Sequence, residues 1–239
     1  MFSNLKKKIK IISEIHPQHH GSMDELERMV LQSKIAGADY IKLQLYDSFK
    51  LFGDNDRKYL EINEKELEYI KLYCENIGIE IFCSVFSEDK LKWCEKLNFK
   101  LYKIASRSVE DKQLCEKILS LNKTVLISLG MYDWQKKGFP YGNTPNIKYM
   151  YCISKYPSNL QEVNMPNFNE NGFHGYSDHT VGISACIYAA TKGAQYVEKH
   201  FSCNKSLNVS TEQAHICSMD FDDLKKMREI LDSISLLKN

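Results

Sequence analysis

Eight short apolar runs rich in Ile, Val, Tyr and Phe recur along the chain: Ile9–Ile15, Tyr40–Leu45, Ile79–Val85, Leu101–Ala105, Thr124–Ser128, Lys148–Ile153, Gly172–Tyr176 and Gln195–Lys199. Their composition and length predict strands. Between and after them, apolar residues fall at helical spacing over Met23–Ala36, Glu64–Asn76, Glu88–Leu97, Asp111–Leu121, Gly182–Lys192 and Phe221–Leu237. Several of these helices have an acceptor side chain where the first turn needs one, at Ser22, Asn63 and Ser87. Gly37 and Gly78 stand where two of them must end. Parallel strands need a crossover between neighbours, and eight strand–helix units close naturally into an α/β fold, the (β/α)8 TIM barrel. An open doubly wound sheet is the alternative arrangement of the same units. Two crossovers are expected to be irregular. Tyr132–Asn146 carries Gly138, Pro140, Gly142 and Pro145, and Ser158–Glu170 is similarly loop-like.

The 239 residues suit one domain over residues 1–239, since such barrels commonly run to about 250. The 32 basic and 31 acidic residues nearly cancel, which argues against a nucleic-acid partner. No apolar run is long enough to cross a membrane. The N-terminal lysines and the apolar run after them resemble a signal peptide only superficially. Ser13 and Glu14 break that run and no small-residue cleavage site follows, so it reads as the first strand. None of the eight cysteines forms a CxxC pair, so reduced thiols in a cytoplasmic protein are expected.

In a barrel the chemistry sits at the C-terminal ends of the strands. Those ends are polar almost without exception here: Glu14 and His16, Lys42 and Gln44, Ser84, Lys103 and Ser106, Ser128, Ser154 and Tyr156, then Ser177-Asp178-His179 and Glu198-Lys199-His200. Lys42 and Lys103 lie inside apolar strands, where an ammonium group needs an anion or a carboxylate. Two lysines ringed by serine hydroxyls suit a phosphate together with a carboxylate. His179 and His200 end neighbouring strands, and such a pair suits a borderline divalent ion such as Mn²⁺, Zn²⁺ or Fe²⁺.

Six blocks carry a family resemblance: "IISEIHPQHHGSMDELERMVLQSKIAGADYIKLQ", "YKIASRS", "TVLISLGM", "KYP", "GYSDHTVGI" and "GAQYVEKHF". In these blocks and their order, the chain resembles the N-acetylneuraminate (sialic acid) synthases. The resemblance implies condensation of phosphoenolpyruvate with an N-acyl hexosamine or related small sugar. His179 and His200 would hold the metal, with Mn²⁺ the expected ion and Mg²⁺ or Co²⁺ as alternatives. Lys42, Ser84, Lys103, Ser106, Ser128, Ser154 and Ser177 match positions that hold phosphoenolpyruvate. Glu14 matches an active-site glutamate, and Gln44 and Tyr156 match positions on the sugar side. Family members usually add a C-terminal antifreeze-like domain that reaches into the partner subunit. That domain is expected to be lacking here, and a homodimer remains an open assembly.

The chain also departs from the family pattern. His16 and Gln18 stand for a glycine and an asparagine, "CSVF" around Ser84 for a block with threonine, and Tyr151 for a histidine. The stretch Asn208–Met219 replaces a Pro-Gly-Pro-Asp block, with Ala214 in the aspartate's place and Glu212 nearby. These changes bear on the sugar more than on the donor. Two other readings of the same residues stay open: a Schiff-base aldolase using Lys103 or Lys199, and a barrel that binds a sugar or partner without turnover.

Overall fold

Every one of the eight apolar runs forms a strand in the computed structural model, which describes residues 8–168, 170, 172–207 and 209–237. The head of the lysine-rich N-terminus, Asn169 in the second irregular crossover and Asn208 of the altered loop lie outside the described residues. The strands are β1 (Lys10–Glu14), β2 (Tyr40–Leu45), β3 (Glu80–Val85), β4 (Leu101–Ile104), β5 (Thr124–Ser128), β6 (Ile147–Cys152), β7 (Phe173–Asp178) and β8 (Tyr196–His200). Each pairs in parallel with the next, and β8 pairs with β1. That last pairing closes the sheet into a (β/α)8 TIM barrel and rules out the open sheet.

The helices are α1 (Met23–Ala36), α2 (Ser48–Phe52), α3 (Glu64–Ile77), α4 (Glu88–Lys96), α5 (Lys112–Ser120), α6 (Trp134–Lys137), α7 (Ser184–Thr191) and α8 (Phe221–Leu237). Ser22, Asn63 and Ser87 accept from the first-turn amides as expected, and Asn63 completes a capping box with Glu66. Gly37 ends α1 at φ 101°, a conformation that a Cβ would oppose. Leu26, Met29 and Val30 of α1 and Leu224, Met227 and Leu231 of α8 are fully buried, each burial worth about 1.5–3 kcal/mol. Among the described residues no helix is long and apolar enough to cross a membrane.

Both irregular crossovers are present. Tyr132–Asn146 holds only the single turn of α6, and among the described residues Ser158–Glu170 holds a 3-10 turn at Leu160–Glu162 and an isolated bridge from Ser158 to Thr180. Phe139 covers the barrel wall in place of a longer helix, with its ring 4.5 Å from Tyr149 and 5.2 Å from Phe173. Several strand boundaries shift by a residue from the apolar runs, and two strands extend past the C-terminal end of theirs. Strand β7 continues to Asp178 and β8 to His200, because the hydrogen-bonded ladder pairs Ser177 with Glu198 and Asp178 with Lys199 beyond the end of the apolar residues. The short helix α2, capped by Asp47, and the 3-10 turn Lys58–Leu60 were not foreseen in the β2–α3 connection.

Candidate active site

Successive strand residues face opposite sides of the sheet, which sorts the two polar triplets. Ser177, His179, Glu198 and His200 line the barrel mouth. Asp178 and Lys199 turn outward toward α7, where Lys199 Nζ lies 2.6 Å from Asp178 Oδ2 and 2.7 Å from the Thr180 carbonyl. Cys186 of α7 donates to the same carboxylate oxygen at 3.3 Å. Lys199 therefore holds the barrel to its outer layer and cannot be a nucleophile in the mouth.

The mouth is a cavity of about 390 Å³. All twelve residues singled out above as catalytic, substrate-binding or metal-binding line it: Glu14, Lys42, Gln44, Ser84, Lys103, Ser106, Ser128, Ser154, Tyr156, Ser177, His179 and His200. Strand register sets their neighbours. Glu14 lies beside Lys42 on one side and His200 on the other, and Gln44, Ser84 and Lys103 run across β2, β3 and β4.

Glu198 organises the charges. Its Oε1 lies 2.8 Å from Lys42 Nζ and accepts from Ser177 at 3.0 Å, and its Oε2 lies 2.8 Å from Lys103 Nζ. Glu14 Oε2 lies 2.6 Å from the same Lys42 nitrogen. Burial works against the ionised form of Glu198, but Lys103 and Lys42 outweigh it and hold its pKa well below the carboxylate range. Glu14 moves the other way. Burial raises its pKa, Lys42 only partly compensates, and the charge of Glu198 adds to the rise. Lys42 is raised because its two carboxylates overcome burial, while burial and the charge of Lys42 leave Lys103 lowered. Two carboxylates with opposed shifts suggest one fixed anion and one proton carrier.

The histidines are oriented from behind. His179 Nδ1 lies 2.6 Å from the Ile153 carbonyl oxygen, which can only accept, so Nδ1 carries the proton. His200 Nδ1 lies 2.9 Å from Gln18 Oε1. Both rings then keep a lone pair on Nε2, the arrangement typical of metal-ligating histidines. Their ring centroids are 5.8 Å apart, with Tyr156 4.0 Å from His179. Burial lowers the His200 pKa well below its usual value. At His179 the neighbouring Cys152 and the Ile153 carbonyl overcome burial and raise it. An ion there would compete with a proton, so affinity would fall with pH. The donor set fits a borderline divalent ion.

Sequence reading left several contributors unassigned. Glu198 was visible only as part of a triplet, although its spacing two residues before His200 puts both on one strand face. Gln18 appeared only as a departure from the family pattern and proves to orient His200. Arg57 and Arg107 also line the cavity. Arg107 directly follows Ser106, but Arg57 depends on the unforeseen β2–α3 connection. His16 does not line the mouth. The Gly21 amide donates to His19 Nδ1 at 3.0 Å, so His19 Nε2 donates to His16 Nδ1 at 3.1 Å, and His16 Nε2 to the Tyr46 hydroxyl at 3.1 Å. Burial makes this relay neutral, with His16 well below its usual pKa and His19 lowered to about 4. Tyr151 packs against Phe173 and Tyr176. Ala214 lines the cavity, whereas Glu212 is bonded to residues of other loops.

Comparison with known proteins shows the family and a matching fold. Residues 29–238 match the profile of the NeuB family. An uncharacterized protein of Methanocaldococcus jannaschii is 32% identical over 232 residues, covering 91% of this chain and 68% of that protein. The pseudaminic acid synthase of Helicobacter pylori is 30% identical over 252 residues, covering 93% of this chain and 73% of the enzyme. The N-acetylneuraminic acid (sialic acid) synthetase of Leptospira borgpetersenii, solved in complex with citrate, has a TM-score of 0.86 at 25% identity, over 98% of this chain and 86% of that one.

Proposed function

Because the chain belongs to the NeuB family, we propose that it condenses phosphoenolpyruvate with an N-acyl hexosamine or related aldose, forming a sialic-acid-like 2-keto-3-deoxy sugar acid and phosphate. One observation carries the donor assignment. Four cationic side chains (Lys42, Arg57, Lys103 and Arg107) and two carboxylates (Glu14 and Glu198) line one cavity, beside two buried hydroxyls, Ser84 and Ser128, with no hydrogen-bond partner among the described residues. Buried polar groups are normally satisfied, so these hydroxyls point to a ligand rich in acceptor oxygens.

Lys42 and Lys103 would neutralise the donor's carboxylate and phosphate, while Ser84, Ser106, Ser128, Ser154 and Ser177 donate to its oxygens. The electron pair of the C2–C3 double bond of phosphoenolpyruvate forms the new bond from C3 to the aldehyde carbon of the open-chain sugar, while the aldehyde C=O π bond breaks and its oxygen takes up a proton to become a hydroxyl. Water then adds at C2, and phosphate leaves by cleavage of its bond to C2, giving the ketone. Glu14, with its raised pKa, takes the proton from that water, and Glu198 stays ionised to hold both lysines. Mn²⁺, Mg²⁺ or Co²⁺ held by His179 and His200 would supply Lewis-acid polarisation of the aldehyde oxygen. Gln44 and Tyr156 would contact the sugar. The eight free cysteines support a cytoplasmic setting.

The test is phosphate release from phosphoenolpyruvate across a panel of N-acyl hexosamines with Mn²⁺, the product being weighed by mass spectrometry. No release with any sugar, despite tight donor binding, would favour a binding barrel without turnover. The lowered pKa of Lys103 favours a second reading, the Schiff-base aldolase. Borohydride trapping with pyruvate decides between the two: a condensing synthase leaves no covalent adduct, and an adduct on Lys103 would replace the proposal.

A further inference from the structure

The condensation leaves one set of metal-type donors unused. His20 lies in the loop after β1, and Glu212 and His215 lie between β8 and α8. Glu212 Oε2 is 2.6 Å from His20 Nδ1 and 3.0 Å from His215 Nε2. The two imidazoles stack, with centroids 4.9 Å apart and planes 11° from parallel. Among the described residues, these three are the one group of His, Cys, Asp or Glu whose ligand atoms all lie within 4.8 Å of one another. Among the described residues, His179 and His200 at the mouth have no third member so placed.

We propose that His20, Glu212 and His215 form a second metal site, for a first-row divalent ion of the Zn²⁺ type, which fastens the β8–α8 loop to the rim of the cavity. Two imidazole nitrogens and a carboxylate oxygen are a ligand set that Zn²⁺ accepts, with water in the fourth position. Both rings already aim a nitrogen at one oxygen. Without metal, a proton on each of those nitrogens bridges to Glu212. With metal, each ring moves its proton to the opposite nitrogen, so neutral rings need release none. His215 Nδ1 then donates to Ser202 Oγ, 2.8 Å away, and His20, a third exposed, can donate to solvent. The hydroxyl of Tyr59 donates to Glu212 Oε1 at 2.5 Å and fixes the carboxylate. Such outer partners orient ligands at metal sites.

The ion would act on the cavity wall. Thr211, Gln213 and Ala214 interleave with the ligands and line the cavity, and Tyr59 belongs to the connection that supplies Arg57. One ion thus ties three loops on the side where the chain departs most from the family pattern.

Zinc titration of the full chain, comparing wild type with His20→Ala by calorimetry and by thermal shift, tests the site. Any zinc taken by the mouth pair appears in both proteins, so the difference belongs to the loop. Wild type should bind one Zn²⁺ more than His20→Ala, and the part of its thermal shift due to that ion should vanish in the variant. Tyr59→Phe should keep the site but weaken it by roughly 10–100-fold. Any Co²⁺ absorption from the mouth pair appears in both proteins, so the visible band of a tetrahedral nitrogen–oxygen site should appear in the difference between wild type and Glu212→Gln. Equal zinc stoichiometry and equal thermal shift in wild type and His20→Ala would overturn the proposal and leave the cluster as a hydrogen-bonded clasp. Neither readout depends on phosphate release, so the condensation can fail without this inference, and the reverse.

Discussion

Glu14 and Glu198 share one ammonium group: Lys42 Nζ lies 2.6 Å from the first carboxylate and 2.8 Å from the second. Among the described residues, Lys103 has only Glu198 as its ionic partner. Removing Glu198 therefore strands a buried cation, whereas removing Glu14 does not.

Glu198→Gln should accordingly destabilise the fold by about 3–5 kcal/mol, the usual cost of breaking a buried pair from one side. Urea unfolding with an unchanged m-value measures it. A loss below about 0.5 kcal/mol, the scale of a neutral surface change, would show that Glu198 is not the hub.

Lys103→Met should weaken phosphoenolpyruvate binding by about 2–5 kcal/mol, the range for truncating one side of a buried charged contact. The thermal shift that the donor gives wild type should then disappear. A Lys103→Met protein stabilised by phosphoenolpyruvate as strongly as wild type would remove Lys103 from the donor site.

Metal binding at the mouth should depend on the residue behind the ligand as well as on the ligands. His179→Ala and His200→Ala should each abolish Mn²⁺ binding there, and Gln18→Ala should reduce it by roughly 10–100-fold through loss of the Nδ1 partner. The paramagnetic signal of free Mn²⁺ reports binding without reference to turnover. Wild-type affinity in Gln18→Ala would mean that the amide does not orient His200.

The histidine relay predicts acid sensitivity with a defined sign. His19 falls from 6.5 to about 4 on folding, so the unfolded chain binds more protons between those values. Its contribution is present above the unfolded pKa and is lost as pH falls from 6.5 through about 4. By linkage that loss is on the order of 3 kcal/mol. Urea midpoints measured across this window should fall less steeply in His19→Gln than in wild type. Parallel slopes would show that the relay does not stay neutral.

What could be read along the chain was whatever neighbours in sequence decide. Short apolar runs mark the strands, and Ser22, Asn63 and Ser87 mark helix starts, because a cap bonds within its own first turn. The polar residues of the mouth were visible too, since strand ends are where the apolar pattern stops. Which of them meet was not visible. Glu198 reaches Lys103 across 95 positions, and Glu212 reaches Tyr59 across 153. Those pairings follow from barrel closure and strand register, which bring together residues with no local signal of each other. Register also turned Lys199 outward to Asp178 while leaving Glu198 and His200 in the mouth, a division that adjacency in the triplet concealed. Side-chain type is a property of the sequence. Partner and pKa belong to the closed barrel, because only closure sets which charges are buried and what lies beside them.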